Sequence, residues 1–147
     1  MLFRSTGDSS LSSCIEAIIA AQVGDIEKAT QYGMAALLMD LADVGGNVRD
    51  GCHIASMGGT WMMLTYGFGG LRDDDGTLSF WPRRAPEEHA ILRFPLTYRG
   101  QMLEVEIGLE TVQYTLREGE CLVIRHETEE IQLTPAQPRA IRPVSRW

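Results

Sequence analysis

Asp40-Leu41-Ala42-Asp43, then Gly45-Gly46-Asn47, then Gly51-Cys52-His53-Ile54-Ala55-Ser56-Met57-Gly58-Gly59-Thr60-Trp61 make a polar, glycine-dense stretch between two apolar helical patterns. It sets a titratable ring, a hydroxyl and two glycines at the start of a helix, where unpaired backbone N–H groups and the helix dipole favour an anion. The chemistry on offer is a site for an anion or a substrate hydroxyl. Working outward from this stretch gives the architecture, because helical periods lie on both sides of it and a strand period follows.

Upstream, Leu11, Cys14, Ile15, Ile18 and Ile19 recur at helical spacing up to Val23, and Gly24-Asp25 supplies a stop and a fresh N-cap. A second helix is expected from about Ile26 to Leu41, on Ile26, Ala29, Tyr32, Ala36 and Leu37, so the connection is very short and the pair forms a helical hairpin. The third helix starts at His53 or Ile54, runs to Tyr66 and closes in Gly67-Phe68-Gly69-Gly70. Gly58 and Gly59 weaken it intrinsically, which points to a neighbouring helix or a ligand close to the backbone.

Beyond Leu71 the period changes to two. Asp73-Asp74-Asp75-Gly76 is a turn, and Gly76 to Glu88, with Pro82 and Pro86, reads as a connection. Leu92, Phe94, Leu96 and Tyr98 share a face; Leu103, Val105 and Ile107, then Val112, Tyr114 and Leu116, then Leu122 and Ile124, then Ile131 and Leu133 repeat the alternation. This is an antiparallel meander of short strands with one face packed. The fold class is therefore α+β: a helical segment over residues 1–72, a linker over 73–89, a small antiparallel β domain over 90–134 and an extended tail over 135–147.

Composition limits the partners. The chain has 147 residues, 44% hydrophobic and 22% charged, with a formal net charge of -7. That is a soluble globular composition, and its sign disfavours a general nucleic-acid or anionic-membrane binder. Cys14, Cys52 and Cys121 are widely spaced and odd in number, so no zinc framework or disulfide scaffold is indicated and a reducing cytoplasm is the plain expectation. The sequence shows no signal-peptide core and no apolar run long enough to cross a membrane.

Each chemical candidate has an ordinary reading beside it. His53 alone would be a partly buried histidine satisfied by its neighbours; its place at a helix start beside Ser56 and Gly58-Gly59 argues for a role. Asp8-Ser9-Ser10 reads as the N-cap of the first helix, and a cap also turns donors toward an anion. Asp40 and Asp43, at the end of a helix, read as solvated or structural carboxylates rather than an acid/base pair. Trp61 reads as core, Trp81 is left open, and His89 and His126, isolated in polar settings, receive no role. Hydrolase triads, phosphate loops and metal clusters find no pattern here.

Taken in order, Asp8-Ser9-Ser10-Leu11-Ser12, Met39 to Asp43, Gly46-Asn47, Gly51 to Trp61, Tyr66 to Arg72 and Leu78-Ser79-Phe80-Trp81-Pro82, continuing through Phe94 to Gly100, resemble the C-terminal part of glycoside hydrolase family 65. That family includes inverting phosphorylases of maltose, trehalose, kojibiose and similar α-glucosides, and some hydrolases. The resemblance implies that residues up to about Arg72 are closing helices of an (α/α) barrel, followed by the family's small C-terminal β-sandwich. It implies a reaction in which a carboxylic acid protonates the glycosidic oxygen while inorganic phosphate attacks the anomeric carbon from the opposite face. This segment would supply the phosphate side: Ser9 and Ser10 as hydroxyl and backbone donors, His53 with Ser56 and the backbone near Gly58 completing the pocket. Gly7 stands where many phosphorylases carry histidine, Val48 where threonine is frequent and Cys52 where an aliphatic residue is usual, which leaves phosphorylase and hydrolase parentage both open.

The family's catalytic acid and most of its sugar-binding barrel lie upstream of the matched region, so no catalytic residue is assigned and the polypeptide is expected to be inactive alone. No cofactor or metal is expected; phosphate or an α-glucoside is the expected small-molecule partner. Barrel helices lacking their neighbours would expose parts of Ile15, Ile18, Leu37 and Leu38, so a homo-oligomer or a complex with an upstream catalytic fragment is expected. The competing expectation is a non-catalytic binding or assembly module that self-associates through its helical half, favoured by the missing acid and by a start at Met1 just before the motif.

Overall fold

The computed structural model describes residues 11–43, 46, 48–83 and 91–144. The chain divides between Gly67 and Phe68 into a helical unit and a β unit.

In the helical unit, α1 (Ser12–Gln22) and α2 (Ile26–Leu37) form the expected hairpin. Gly24 closes α1 at φ +84°, with the amides of Gly24 and Asp25 bonded back to Ala21 and Ala20. Asp25 then caps α2, its Oδ1 accepting from the Lys28 N–H at 3.1 Å and its Oδ2 pairing with Lys28 Nζ at 2.8 Å. At the start of α1 the N-cap position is Leu11, with no side-chain capping bond. Small residues make up most of the buried faces of the hairpin, Ala17, Ala20 and Ala21 on α1 and Ala29, Gly33 and Ala36 on α2.

Chain continues as a 3₁₀ turn (Val48–Asp50) into α3 (Ile54–Met62) and a π-helical turn (Met63–Phe68). Two glycines make room for this packing: a Cβ on Gly33 would run into the Met63 sulfur, and one on Gly59 into the Cys14 side chain. Two helix ends differ from the periodicity. α2 stops at Leu37 instead of Leu41, because residues 38–43 turn and Asp43 enters the left-handed region at φ +48°. The α-helical ladder of the third helix ends at Met62, and its last turn widens to i→i+5 bonding.

The β unit is a sandwich of two four-stranded sheets. One has the order β1 (Leu71–Arg72), β2 (Leu78–Phe80), β6 (Leu122–His126), β7 (Glu129–Leu133); the other has β3 (Leu92–Tyr98), β4 (Gln101–Ile107), β5 (Thr111–Glu118), β8 (Arg139–Pro143). Alternation along the strands turns Leu78, Phe80, Ile124 and Leu133 of the first sheet and Leu103, Val105, Val112 and Tyr114 of the second into one core. The rings of Phe80 and Tyr114 meet across it at 5.1 Å between centroids. Gly70, at φ +62°, lies against Trp81, whose N–H donates to the Gly70 carbonyl at 3.0 Å; a Cβ there would collide with the Trp81 carbonyl.

The structure departs from the sequence reading at several points. All strand pairs are antiparallel except β2–β6, which is parallel. The span 73–89 contains β2, whose three residues are too few to show a period. The span 135–147 contains β8, hydrogen-bonded to β5 from Thr111–Pro143 to Thr115–Arg139. An edge strand that ends in a proline and is fully buried on neither face shows no apolar alternation in its sequence. Trp61, expected in the core, is 46% exposed, and His126, expected isolated in a polar setting, is buried.

Candidate functional site

The residues around the start of α3 come together within the helical unit. His53 occupies the N-cap position, but its side chain makes no cap bond. It turns to Asp40 instead. One Asp40 oxygen accepts the His53 backbone N–H at 2.8 Å, and the other lies 2.5 Å from Nδ1. The same partner holds the Asp40 carboxyl below the ordinary carboxylate range, first through the hydrogen bond to the His53 ring and then through the backbone N–H and charge. An ionised carboxylate has no proton to share, so the hydrogen in the short contact belongs to Nδ1. Nε2 is the ring nitrogen left over.

Backbone donors flank the ring. The N–H groups of Ser56 and Met57 both reach back to the His53 carbonyl and that of Ile54 to the Cys52 carbonyl, while the Ala55 N–H finds no acceptor among the described residues. An unspent N–H in the first turn of a nine-residue helix is a donor on which the helix dipole also acts.

Ser56 sits differently from its neighbours. It is 1% exposed, and its hydroxyl donates to the Ala36 carbonyl of α2 at 3.4 Å. Its own carbonyl accepts from Cys14 Sγ at 3.6 Å and from Thr60 Oγ1 at 3.0 Å. Ser56 thus ties α1, α2 and α3 at one point, and burial there pushes the Cys14 thiol pKa up. Gly58 lies on the exposed side of α3 with nothing within 4 Å of where a Cβ would stand. Its N–H is inside the helical ladder, so what it offers a ligand is open space over the helix face. Beside Asp40 a largely apolar cleft runs between α2 and α3, lined by Ala36, Leu37, Asp40, Ser56, Met57 and Thr60.

Of the five residues singled out from sequence, His53, Ser56 and Gly58 share the first turns of α3; Ser9 and Ser10 lie outside the described residues. Asp40 is the member that sequence reasoning passed over as a structural carboxylate. Its signal was present only as the first of two acidic residues in the motif Met39 to Asp43, thirteen residues before the histidine it holds. Among the described residues no group of three or more His, Cys, Asp or Glu is placed to hold a metal ion, and no helix is long and apolar enough to cross a membrane.

The β unit has a second histidine pair. Tyr114 Oη and His126 Nδ1 lie 2.9 Å apart, both residues buried. Burial depresses the His126 pKa and raises that of Tyr114. The pair is enclosed inside the sandwich, which makes it a packing element.

Comparison with known proteins gives the family and the fold. The glycosyl hydrolase family 65 central catalytic domain matches residues 2–62, and the glycosyl hydrolase family 65 C-terminal domain matches residues 71–133. An uncharacterized glycosyl hydrolase of Mycobacterium leprae is 46% identical over 140 residues, 94% of this chain and 18% of its own length. The alpha,alpha-trehalose phosphorylase of Geobacillus stearothermophilus is 40% identical over 92% of this chain and 18% of its own length. A solved structure described as a candidate kojibiose phosphorylase from the human microbiome superposes with a TM-score of 0.86 at 26% identity, over 96% of this chain and 20% of that one. The chain therefore spans about 18% of the length of these curated relatives. Joining part of the central catalytic domain to the C-terminal domain, with the same helices-then-sandwich fold as its solved relative, the chain belongs to glycosyl hydrolase family 65.

Proposed function

We propose that this chain is the C-terminal portion of an α-glucoside phosphorylase and carries the phosphate-facing half of its site, without activity of its own. The observations that support the reading lie in the first turns of α3: His53 is anchored through Nδ1, the Ala55 N–H has no acceptor among the described residues, and the Cβ position of Gly58 is open. In this reading His53 and the helix terminus meet phosphate, Ser9 and Ser10 add donors, and Gly58 keeps the approach clear. Ser56 contributes by fixing α3 to α2 through Ala36 rather than by offering its hydroxyl. In this reading the acid that protonates the leaving sugar oxygen, which in an inverting reaction stands across the sugar from the nucleophile, comes from a segment outside this chain. A cytoplasmic setting fits the three free thiols.

The partner is read from the outer faces of the helices. Leu11, Ile15, Ile19 and Val23 form an exposed stripe along α1 and its ends, and Ile54, Met57 and Trp61 another along α3. Leu37 is also exposed, as expected; Ile18 is buried and Leu38 half-buried. Such faces seek cover. We infer that they receive upstream barrel helices, with self-association as the substitute when those are absent. A free-standing assembly module is the second reading, supported by these same faces.

Calorimetric titration of inorganic phosphate into the chain, with light scattering for mass, tests both. Saturable binding that His53→Ala abolishes is the expected result. Absence of binding with a stable oligomer would favour the assembly module, and a clean monomer at high concentration would count against self-association.

A further inference from the structure

We propose that Asp40 is the positioning residue for His53: it fixes the imidazole proton on Nδ1 and leaves Nε2 as the one ring atom offered to a phosphate oxygen or hydroxyl. The inference deepens the phosphate-side reading and rests on it for the identity of the ligand. Its own ground is geometric. Both oxygens of one carboxylate are spent on one residue, Oδ2 on the His53 N–H at 2.8 Å and Oδ1 at Nδ1 at 2.5 Å. The first bond fixes the backbone at the entry to α3, the second fixes the ring about its own axis, and together they leave His53 a single orientation. The two side chains are 18% and 12% exposed, enough cover to keep water from competing for the pair and enough opening for a ligand to reach the ring.

No other charged or titratable side chain among the described residues bonds to either member. From α1, Cys14 is engaged with the Ser56 carbonyl; from α2, Lys28 is engaged with Asp25; the other bond at the α2–α3 contact is Ser56 to Ala36. Asp43, three residues beyond Asp40, accepts the Val48 N–H at 3.0 Å instead.

The chemical consequence is specific. A neutral histidine in water favours its proton on Nε2, so pairing to a carboxylate at Nδ1 inverts the ordinary tautomer. Nε2 then presents a lone pair to a P–OH or a sugar hydroxyl. When the ring takes a second proton, Nε2 becomes a donor to a phosphate oxygen and Asp40 balances the charge. In both states the ligand meets Nε2 and Asp40 acts only through the ring.

Nitrogen-15 NMR of the His53 ring in the full 147-residue chain, assigned with His53→Ala, reads the arrangement directly. The neutral ring should carry its proton on Nδ1, and inorganic phosphate should move the Nε2 signal much more than the Nδ1 signal. Asp40→Ala should shift the proton to Nε2 and weaken phosphate binding about tenfold, the low end for loss of a partner that orients a binding histidine. Asp40→Leu keeps the volume without an acceptor and takes the place of Asp40→Ala if that variant loses its helical circular dichroism. A wild-type ring protonated on Nε2, or a tautomer unchanged in the folded variant, overturns the proposal. The expected tautomer with no response of His53 to phosphate leaves Asp40 as the positioning residue and overturns the phosphate reading instead.

Discussion

In the sandwich the inward side chains are the large ones: Leu78, Phe80, Leu103, Tyr114, Ile124 and Leu133 are each 2% exposed or less. In the helical unit the buried apolar set is mainly alanine with Cys14, Ile18, Met39 and Met63, while Ile15, Ile19, Met34, Leu37, Ile54 and Trp61 stand 46% or more exposed. Burying one large apolar side chain is worth about 1.5–3 kcal/mol, so the first unit contains the core that holds it and the second places its larger side chains where only another body can cover them. The helices have one close-packed, small-residue face and one outward apolar face. That is the division expected of a self-sufficient domain beside part of a larger barrel, and it places the candidate site on the less self-sufficient side.

Removing a ring from the sandwich core should break the comparison hardest. Phe80→Ala is expected to cost the β unit about 3–5 kcal/mol, read as a lower denaturation midpoint for β-strand amides in hydrogen exchange. Equal loss of protection in α1 and α2 would show that the two units are one cooperative body and undo the distinction.

Adjacent glycines should then give opposite signs inside the helical unit. Gly59→Ala forces a Cβ into Cys14 and is expected to destabilise by about 1–3 kcal/mol despite the better helix propensity. Gly58→Ala meets open space and should stabilise α3 by up to about 1 kcal/mol. Thermal melts followed at 222 nm compare the two; the same sign for both would mean that α3 is not seated on α1 as described.

Acid sharpens the contrast from the other side. Burial depresses the folded-state pKa of His126, so as pH falls below the ordinary histidine value of about 6.5 the unfolded chain binds the proton first and the sandwich loses stability. The loss should continue until the folded-state pKa is passed, and His126→Gln should flatten it in urea titrations between neutral pH and pH 5. A wild-type curve equally flat over that range would remove His126 as the cause.

The smallest expected effect on stability carries the most information about assembly. Ile15→Glu and Ile19→Lys alter side chains about half exposed and should change the melting free energy by no more than about 0.5 kcal/mol. In light scattering the same pair should lower the mass of any oligomer. Unchanged mass would locate self-association elsewhere than the outer face of α1.

Much of this was legible residue by residue. Gly24-Asp25 marked the hairpin turn because a left-handed glycine followed by a capping aspartate is a purely local instruction, and the capping bond to Lys28 is three residues long. Strands β3 to β7 followed from alternation, since each has one face packed and one wet. Of the site, the order Gly51 to Trp61 was enough to pick out His53 and the glycines, but it could not tell that Ser56 points inward or that Trp61 points out, because the face that α3 turns toward α1 and α2 decides both.

What the sequence by itself determined, then, is the order of elements, their caps and turns, the change of period after Leu71 and the family to which these motifs belong. The tertiary structure alone decided which groups meet. Asp40 reaches His53 across thirteen residues because α2 stops at Leu37 and its end folds back on α3; Tyr114 finds His126 between two sheets; β8 joins an edge that its own composition does not advertise. Local conformation is set by neighbours within about one helical turn or one strand step, whereas a side chain's partner is set by the packing of whole elements, and a short range of chain does not encode that packing.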